Sequence, residues 1–156
     1  MKTAEELTAL VRQRNWDKDL VLWIGPEAGL HTAIGKVPCV TLDLLDLFDE
    51  NNLPADDEAA RLDLSRAIRS RLQAMSPSAS NRIVLVVKSI GLLARYRVGV
   101  KEFYEWFCGD HAMVILTLDG RLEKTGWSDD IVCDADRLPA YFREPEMVKY
   151  VFGAKG

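Results

Sequence analysis

A continuous apolar segment, Leu20–Ile24, leads directly into a glycine-containing turn, and this junction most constrains the fold. An uninterrupted apolar run of this length is typical of a strand that a parallel sheet buries on both faces. The following residues match the spacing of a phosphate-binding loop, G-x-x-x-x-G-K-[ST], counted from Gly25. On that spacing Leu30 replaces the second glycine, His31 replaces the lysine, and Thr32 keeps the hydroxyl. The junction predicts a strand–loop–helix unit with a degenerate phosphate loop.

Apolar segments with strand character alternate along the chain with segments of helical periodicity. We predict strands at 20–24, 37–42, 83–87, 112–118 and 131–133; helices at 3–14, 56–75 and 100–107; and helical turns at 42–48 and, interrupted at Pro145, at 136–152. Such alternation indicates a parallel sheet with helices on both faces. The chain of 156 residues is therefore predicted to be a single α/β domain, a three-layer sandwich with a mostly parallel five-stranded sheet.

The candidate phosphate site keeps part of its backbone and loses most of its chemistry. Gly25 and Gly29 keep backbone freedom and Thr32 keeps a hydroxyl, but Leu30 crowds the backbone and His31 is a poor substitute for a permanent ammonium. The helix after the loop is predicted to be about one turn long, which is too short for a strong anion site. We therefore favour a tight connection without ligand over a phosphate site.

The third predicted strand ends in Lys88 and Ser89, where phosphate-loop ATPases carry an acidic pair that holds Mg²⁺ and polarises the attacking water. A lysine repels Mg²⁺, so this second departure argues independently against hydrolysis. Two readings of Lys88 remain: it reaches an anion from the side opposite the loop, or it is solvated or paired with a carboxylate.

The fourth predicted strand ends in a threonine and an aspartate. Thr117 or Asp119 fits the position of a polar residue that senses a γ-phosphate, but Asp119 followed by glycine is also an ordinary turn signal. We favour the turn. No catalytic residue is predicted, because His111 has no serine or cysteine partner at a recognisable spacing.

Charge and composition weigh against nucleic acid, metal and membrane as direct partners. The net charge is −4, the arginines at 61, 66, 69 and 71 fall on more than one helix face, and the three cysteines form no metal-ligand pattern. The polar N-terminus lacks a signal-peptide core, and no apolar run approaches the roughly 18 residues of a membrane span. We expect a cytoplasmic protein whose cysteines are buried free thiols.

The C-terminal region is rich in aromatic residues mixed with arginine, methionine and proline. Tyr141, Phe142, Arg143 and Tyr150 are candidates for contact with a protein partner, although the same aromatic residues would also suit a segment that covers the sheet.

With its degenerate loop, the strand running into Ser89 and the fourth strand ending near Asp119, the chain resembles the small phosphate-loop proteins of BREX-type phage-defence operons, the BrxF-like group. The resemblance covers most of residues 5–152 in the size and order of elements. It implies an additional-strand ATPase fold, P-loop NTPase-like, with strand order 2-3-4-1-5, and a role in a bacterial antiviral complex.

The function predicted from the sequence is that of a non-catalytic component of such a complex, binding a larger ATPase or DNA-acting subunit and meeting nucleic acid only indirectly. The alternative is a nucleotide-binding switch or weak NTPase using Thr32, His31 and Lys88. A stand-alone nucleic-acid binder is disfavoured by the acidic charge. No cofactor is expected, ATP with Mg²⁺ is disfavoured, and homo-oligomerisation is left open.

Overall fold

The computed structural model describes residues 1–13, 15–47, 51, 54–119, 122–124, 132–134 and 147–153. The strands are β1 (Leu20–Ile24), β2 (Cys39–Asp43), β3 (Ile83–Lys88), β4 (Ala112–Leu118), β5 (Leu122–Lys124), β6 (Val132–Asp134) and β7 (Tyr150–Gly153). The helices are α1 (Ala4–Gln13), α2 (Glu27–Ile34), α3 (Asp57–Met75), α4 (Gly91–Arg95) and α5 (Lys101–Trp106), and a short 3-10 helix covers Leu44–Leu47.

Five strands form one sheet in the order β2-β3-β4-β1-β7, and every neighbouring pair is parallel. The predicted α/β class is confirmed, and so is the order 2-3-4-1-5 when the strands of this sheet are numbered along the chain. Consecutive parallel strands need crossover connections, which is why helices separate them.

The fifth strand of the main sheet is not the one that the sequence analysis selected. The segment predicted at 131–133 corresponds to β6, which pairs antiparallel with β5 in a separate two-stranded sheet. The edge position beside β1 is taken instead by β7, within the stretch predicted to be helical up to residue 152. The four residues from Tyr150 to Gly153 alternate aromatic and smaller side chains, and a pattern this short suits a strand or a helical turn. Pairing with β1 therefore determines that they form a strand. Residues 147–149 of that predicted helical stretch are not helical either, and residues 136–146 lie outside the described residues.

Helices cover both faces of the sheet, and each face has its own core. On one face α3, α4 and α5 pack on alternate residues of the central strands, with Leu64, Ile68 and Phe103 fully buried. On the other face α1 and α2 cover Trp23 and the remaining alternate residues. Because neighbouring strand residues point to opposite faces, uniformly apolar strands are what this three-layer arrangement requires.

The start, the buried face and the end of the longest helix, α3, are each specified by its own sequence. Asp56 is its N-cap and accepts a hydrogen bond from the Ala59 amide at 2.8 Å, and acidic residues occupy the first turn. Leu64, Ile68 and Leu72 form the buried stripe at helical spacing. Ser76 ends the helix in the left-handed conformation, with φ 45°.

In the described part of the chain, no helix combines the length and the apolar composition that crossing a membrane requires.

Candidate functional site

The carboxyl ends of β1, β3 and β4 meet at one edge of the sheet, where open α/β folds usually bind ligands. Ile24 pairs with Leu118, and the Gly25 amide extends this ladder by donating to the Leu118 carbonyl at 2.9 Å. The register of β3 on β4 brings Lys88 to the same edge. Thus the structure places Gly25, Lys88, Thr117 and Asp119 together, as the predicted phosphate site requires.

The predicted loop between residues 25 and 32 is mostly helix. Only Gly25 and Pro26 separate β1 from α2, which starts at Glu27 and is eight residues long rather than one turn. The Leu30 amide donates to the Pro26 carbonyl at 3.3 Å, and the Thr32 hydroxyl donates to the Ala28 carbonyl at 3.0 Å. These amide and hydroxyl groups are therefore used within the helix rather than arranged around an anion.

Leu30 explains why the helix starts so early. Its side chain is completely buried in the core beneath α2, packed with Trp23 and Val86 on the sheet. A leucine at this position stabilises the structure only if the helix already lies on the sheet, whereas a glycine there would permit a loop. Gly29 and Thr32 lie on the more exposed side of the same helix. Neither residue lines the small cavity that Thr117 and Asp119 line.

Glu27, which the sequence analysis did not select, is the central polar residue of the edge. Its Oε2 lies 3.3 Å from Lys88 Nζ, and its Oε1 lies 3.4 Å from His31 Nε2. The hydrogen bonds from His31 and from Lys88 lower the pKa of the Glu27 carboxyl, because both stabilise its ionised form. Of the two alternatives that the sequence left open for Lys88, the structure shows the pairing with a carboxylate: Lys88 faces the start of α2 and contacts Glu27 there.

The charges at this edge are the reverse of those at a nucleotide site. In phosphate-loop ATPases a cation follows the first strand and an acid ends the third. Here an acid follows β1 and a cation ends β3, and the two form an ion pair. Each group satisfies the other, so neither remains as an unpaired receptor for phosphate or for Mg²⁺. The spacing of Glu27 from β1 was visible in the sequence, but its pairing with Lys88 over 61 positions was not.

The space between these residues is small. A cavity of about 20 Å³ is lined by Trp23, Gly25, Glu27, Leu30, Val86, Lys88, Thr117 and Asp119. That volume is close to what one water molecule occupies, whereas small-molecule sites measure roughly 300–1,000 Å³. This cavity between the described residues is therefore too small for a nucleotide.

Two further residues of this edge are hydrogen-bonded to neighbouring turns and strands, and Asp119 is exposed. The Thr117 hydroxyl donates to the Val87 carbonyl at 2.9 Å. Ser89, which the sequence analysis named only as a replacement of an acidic residue, has a left-handed φ of 62° and donates to Asp43 Oδ1 at 2.6 Å. Asp43 ends β2 and also accepts from the Leu45 amide at 3.1 Å. These contacts stabilise the turns after β2 and β3.

The predicted partner-contact residues are only partly described. Tyr141, Phe142 and Arg143 lie outside the described residues. Tyr150 begins β7 and is half-buried, with Lys2 Nζ 5.0 Å from the ring centroid and Phe152 packed edge-on at 6.0 Å. Tyr150 therefore belongs to the last strand of the sheet rather than to a segment that covers it, and its contact with a protein partner stays a prediction.

The prediction of buried thiols is confirmed for Cys108 and is wrong for Cys39. Burial raises the pKa of the Cys108 thiol to about 12, so this thiol is protonated at neutral pH and unreactive. Cys39 is exposed on β2. A search of the described residues finds no cluster of three or more metal-ligating side chains.

No protein-family model, curated protein or solved structure gave a significant match to the chain.

Proposed function

We propose that the chain is a non-catalytic protein with a P-loop NTPase-like fold that acts through contacts with other proteins, as a component of a bacterial phage-defence complex of the BREX type. The sheet order supports the fold, and the resemblance of the sequence supports the defence context. The ion pair between Glu27 and Lys88 is the observation that supports the loss of catalysis.

Nucleotide hydrolysis needs backbone amides and a cation around the phosphates, and an acidic residue that holds Mg²⁺. At this edge the amides after the first turn belong to α2, and Glu27 presents negative charge where phosphate oxygens would lie. The cation that ends β3, Lys88, disfavours Mg²⁺ at the remaining position. Two of the three requirements, the cation for the phosphates and the acid for Mg²⁺, are thus opposed by Glu27 and Lys88, which pair with each other.

The surface of α3 and α5 supports a role in protein contact. Trp106 is 55% exposed and carries the Arg69 guanidinium 4.8 Å from its ring centroid. Arg69 is itself anchored by Glu102, so the aromatic and cationic groups are held in place before any partner binds. Exposed tryptophan and arginine are the residues most enriched among the energetically dominant contacts of protein interfaces.

Thermal unfolding with excess Mg-ATP, Mg-GTP or pyrophosphate tests the loss of the phosphate site. We expect no shift, whereas specific binding at 100 times Kd would stabilise the folded state by about 2.7 kcal/mol. The same thermal unfolding experiment is made on Glu27→Gln, which removes the carboxylate that opposes phosphate. Glu5→Gln, in the first turn of α1, is its matched control. A stabilisation of the unaltered protein that Lys88→Ala abolishes would contradict the proposal and favour the nucleotide switch.

The partner role is tested by purifying the tagged chain together with the products of neighbouring genes. We expect a stoichiometric complex that Trp106→Ala weakens, while Lys101→Ala on the same helix does not. Recovery of the free chain alone would count against a role in a complex.

A further inference from the structure

We propose that the outer edge of β2 pairs antiparallel with the same edge of a second copy of this chain, so that two sheets join into one across a twofold axis. This inference is independent of the function proposed above. β2 is an end strand of the main sheet, and within the described ranges no strand or isolated bridge pairs with its outer side.

The exposure of β2 is unusual for a strand in a parallel sheet. Cys39, Val40 and Thr41 are all exposed, with Val40 at 41%, whereas β1, β3 and β4 are buried over nearly their whole length. Because successive side chains point to opposite faces, three exposed residues in a row leave both faces of the strand uncovered. Strands in parallel sheets are normally covered on both faces.

The edge carries few of the features with which proteins usually protect a free strand. Residues 39–42 of β2 contain no charged side chain, Asp43 at its carboxyl end is its one charged residue, and Pro38 lies just before the strand rather than within it. The opposite edge is protected by the chain itself: the Lys2 amide donates to the Val151 carbonyl at 2.8 Å, and the Gly153 amide donates to the Lys2 carbonyl at 2.9 Å. Among the residues that the structure describes, the fold thus covers one edge and leaves β2 without a strand on its outer side.

A groove of about 260 Å³ runs beside β2 and is lined by Pro38, Cys39, Val40, Met75, Asn81, Arg82 and Ile83. Val40 shares its face with Leu42, which packs in the core beneath α3, and Met75 ends that helix. A twofold axis perpendicular to the sheet keeps this face on the same side in both copies. The two grooves then join, and the Val40 side chains become buried between the Met75 side chains.

Charge selects a second copy in antiparallel orientation. Lys36 precedes β2, while Asp43 and Asp46 lie at and beyond its carboxyl end, and both Lys36 and Asp46 are exposed. Antiparallel pairing brings the Lys36 end of each copy to the acidic end of the other, twice over. Parallel pairing would align like charges at both ends. A self-complementary edge of this kind gives the closed twofold dimer that is commonest among homo-oligomers.

Sedimentation velocity from about 1 to about 200 µM tests the dimer over the range in which a small interface dissociates. We expect the unaltered chain to shift from monomer to dimer and Val40→Lys to remain monomeric. Leu62→Lys is the matched control, since Leu62 is exposed to a similar degree (44%) on α3, and it should dimerise normally. Circular dichroism confirms that each variant is folded.

Disulfide trapping tests the orientation separately. Val40→Cys and Thr41→Cys are each made in a background with Cys39→Ser and Cys133→Ser, and Leu62→Cys serves as the control. Antiparallel pairing centred on Val40 or Thr41 brings that residue close to its symmetry mate, within the roughly 7 Å between Cα atoms that a disulfide permits. We expect oxidation to trap a dimer of one β2 variant and not of the control. A monomer at every concentration, a dimer that survives Val40→Lys, or equal trapping of the control would overturn the proposal.

Discussion

Glu102 is a carboxylate that the fold buries between α5 and α3 and fully occupies with hydrogen bonds. Ser65 donates to Oε1 at 2.8 Å, and Arg69 donates from Nε and Nη2 at 3.0 and 3.1 Å. Burial alone would raise the pKa of this carboxyl, but the hydrogen bonds from Arg69 and Ser65 outweigh it and lower the pKa below the ordinary 4.5. The folded chain therefore stabilises the ionised form.

Replacing this carboxylate by an amide should change both stability and its dependence on pH. We expect Glu102→Gln to cost about 1–2 kcal/mol at pH 7, because charge-assisted hydrogen bonds are lost. Since the pKa is lowered on folding, the contribution of Glu102 is complete well above pH 4.5 and disappears as the pH falls through the lowered value. Urea unfolding at pH 7 and pH 3.5 should show a smaller difference between variant and parent at the lower pH. Glu105→Gln, exposed on the same helix, should match the parent at both.

At the scale of elements, α2 and α3 differ in how far the sequence specifies their limits. α3 begins at a capping aspartate and carries a complete apolar stripe, so the prediction for residues 56–75 was confirmed to within one residue. α2 has no side-chain cap among the described residues, and its start is determined by the burial of Leu30. On the spacing of a phosphate loop, Leu30 replaces a required glycine. In the fold it is a buried core residue of a helix.

The N-cap of α3 offers a direct test of this local specification. Asp56→Ala should destabilise the protein by about 1 kcal/mol, because the Ala59 amide loses its acceptor at 2.8 Å. Asp56→Ser retains a capping oxygen and should recover most of the loss. Chemical unfolding at neutral pH measures both; equal stability of the parent and the alanine variant would show that the cap contributes nothing.

At the scale of the whole molecule, a long-range ion pair connects the last strand to the first. Asp19 precedes β1 and is almost completely buried, and Lys149 precedes β7 and reaches Asp19 Oδ1 at 2.9 Å. The hydrogen bond to Asp19 raises the pKa of Lys149, and the Lys149 amide also donates to the Leu20 carbonyl at 2.7 Å. The pair therefore joins the amino ends of two adjacent parallel strands from opposite ends of the chain.

Breaking this pair should destabilise the whole fold. We expect Lys149→Met to cost about 2 kcal/mol, less than the roughly 3–5 kcal/mol of fully buried pairs because Lys149 is itself partly exposed. The double variant Asp19→Asn, Lys149→Met should recover part of this loss, since no buried charge is then left without a partner. Because folding raises the pKa of Lys149, the ion pair stabilises the fold fully below pH 10.5. This stabilisation is lost as the pH rises through the raised pKa. Urea unfolding at pH 8 and pH 11.5 measures both effects, and a single variant as stable as the parent at pH 8 would contradict them.

The sequence by itself determined the α/β class and the positions of β1, β3, β4 and α3, because continuous apolar runs and helical stripes are local patterns with few alternative structures. The strand order 2-3-4-1-5 was implied by the resemblance to a known family, and the sheet agrees with it. The sequence also placed Lys88 and Asp119 at the same end of the sheet, because the carboxyl ends of parallel strands lie together. Only the tertiary structure decided that Glu27 faces Lys88, that α2 replaces the loop, and that β7 rather than β6 joins the sheet. These outcomes depend on partners distant in the chain, and no local pattern encodes which charge, core or strand a residue will meet.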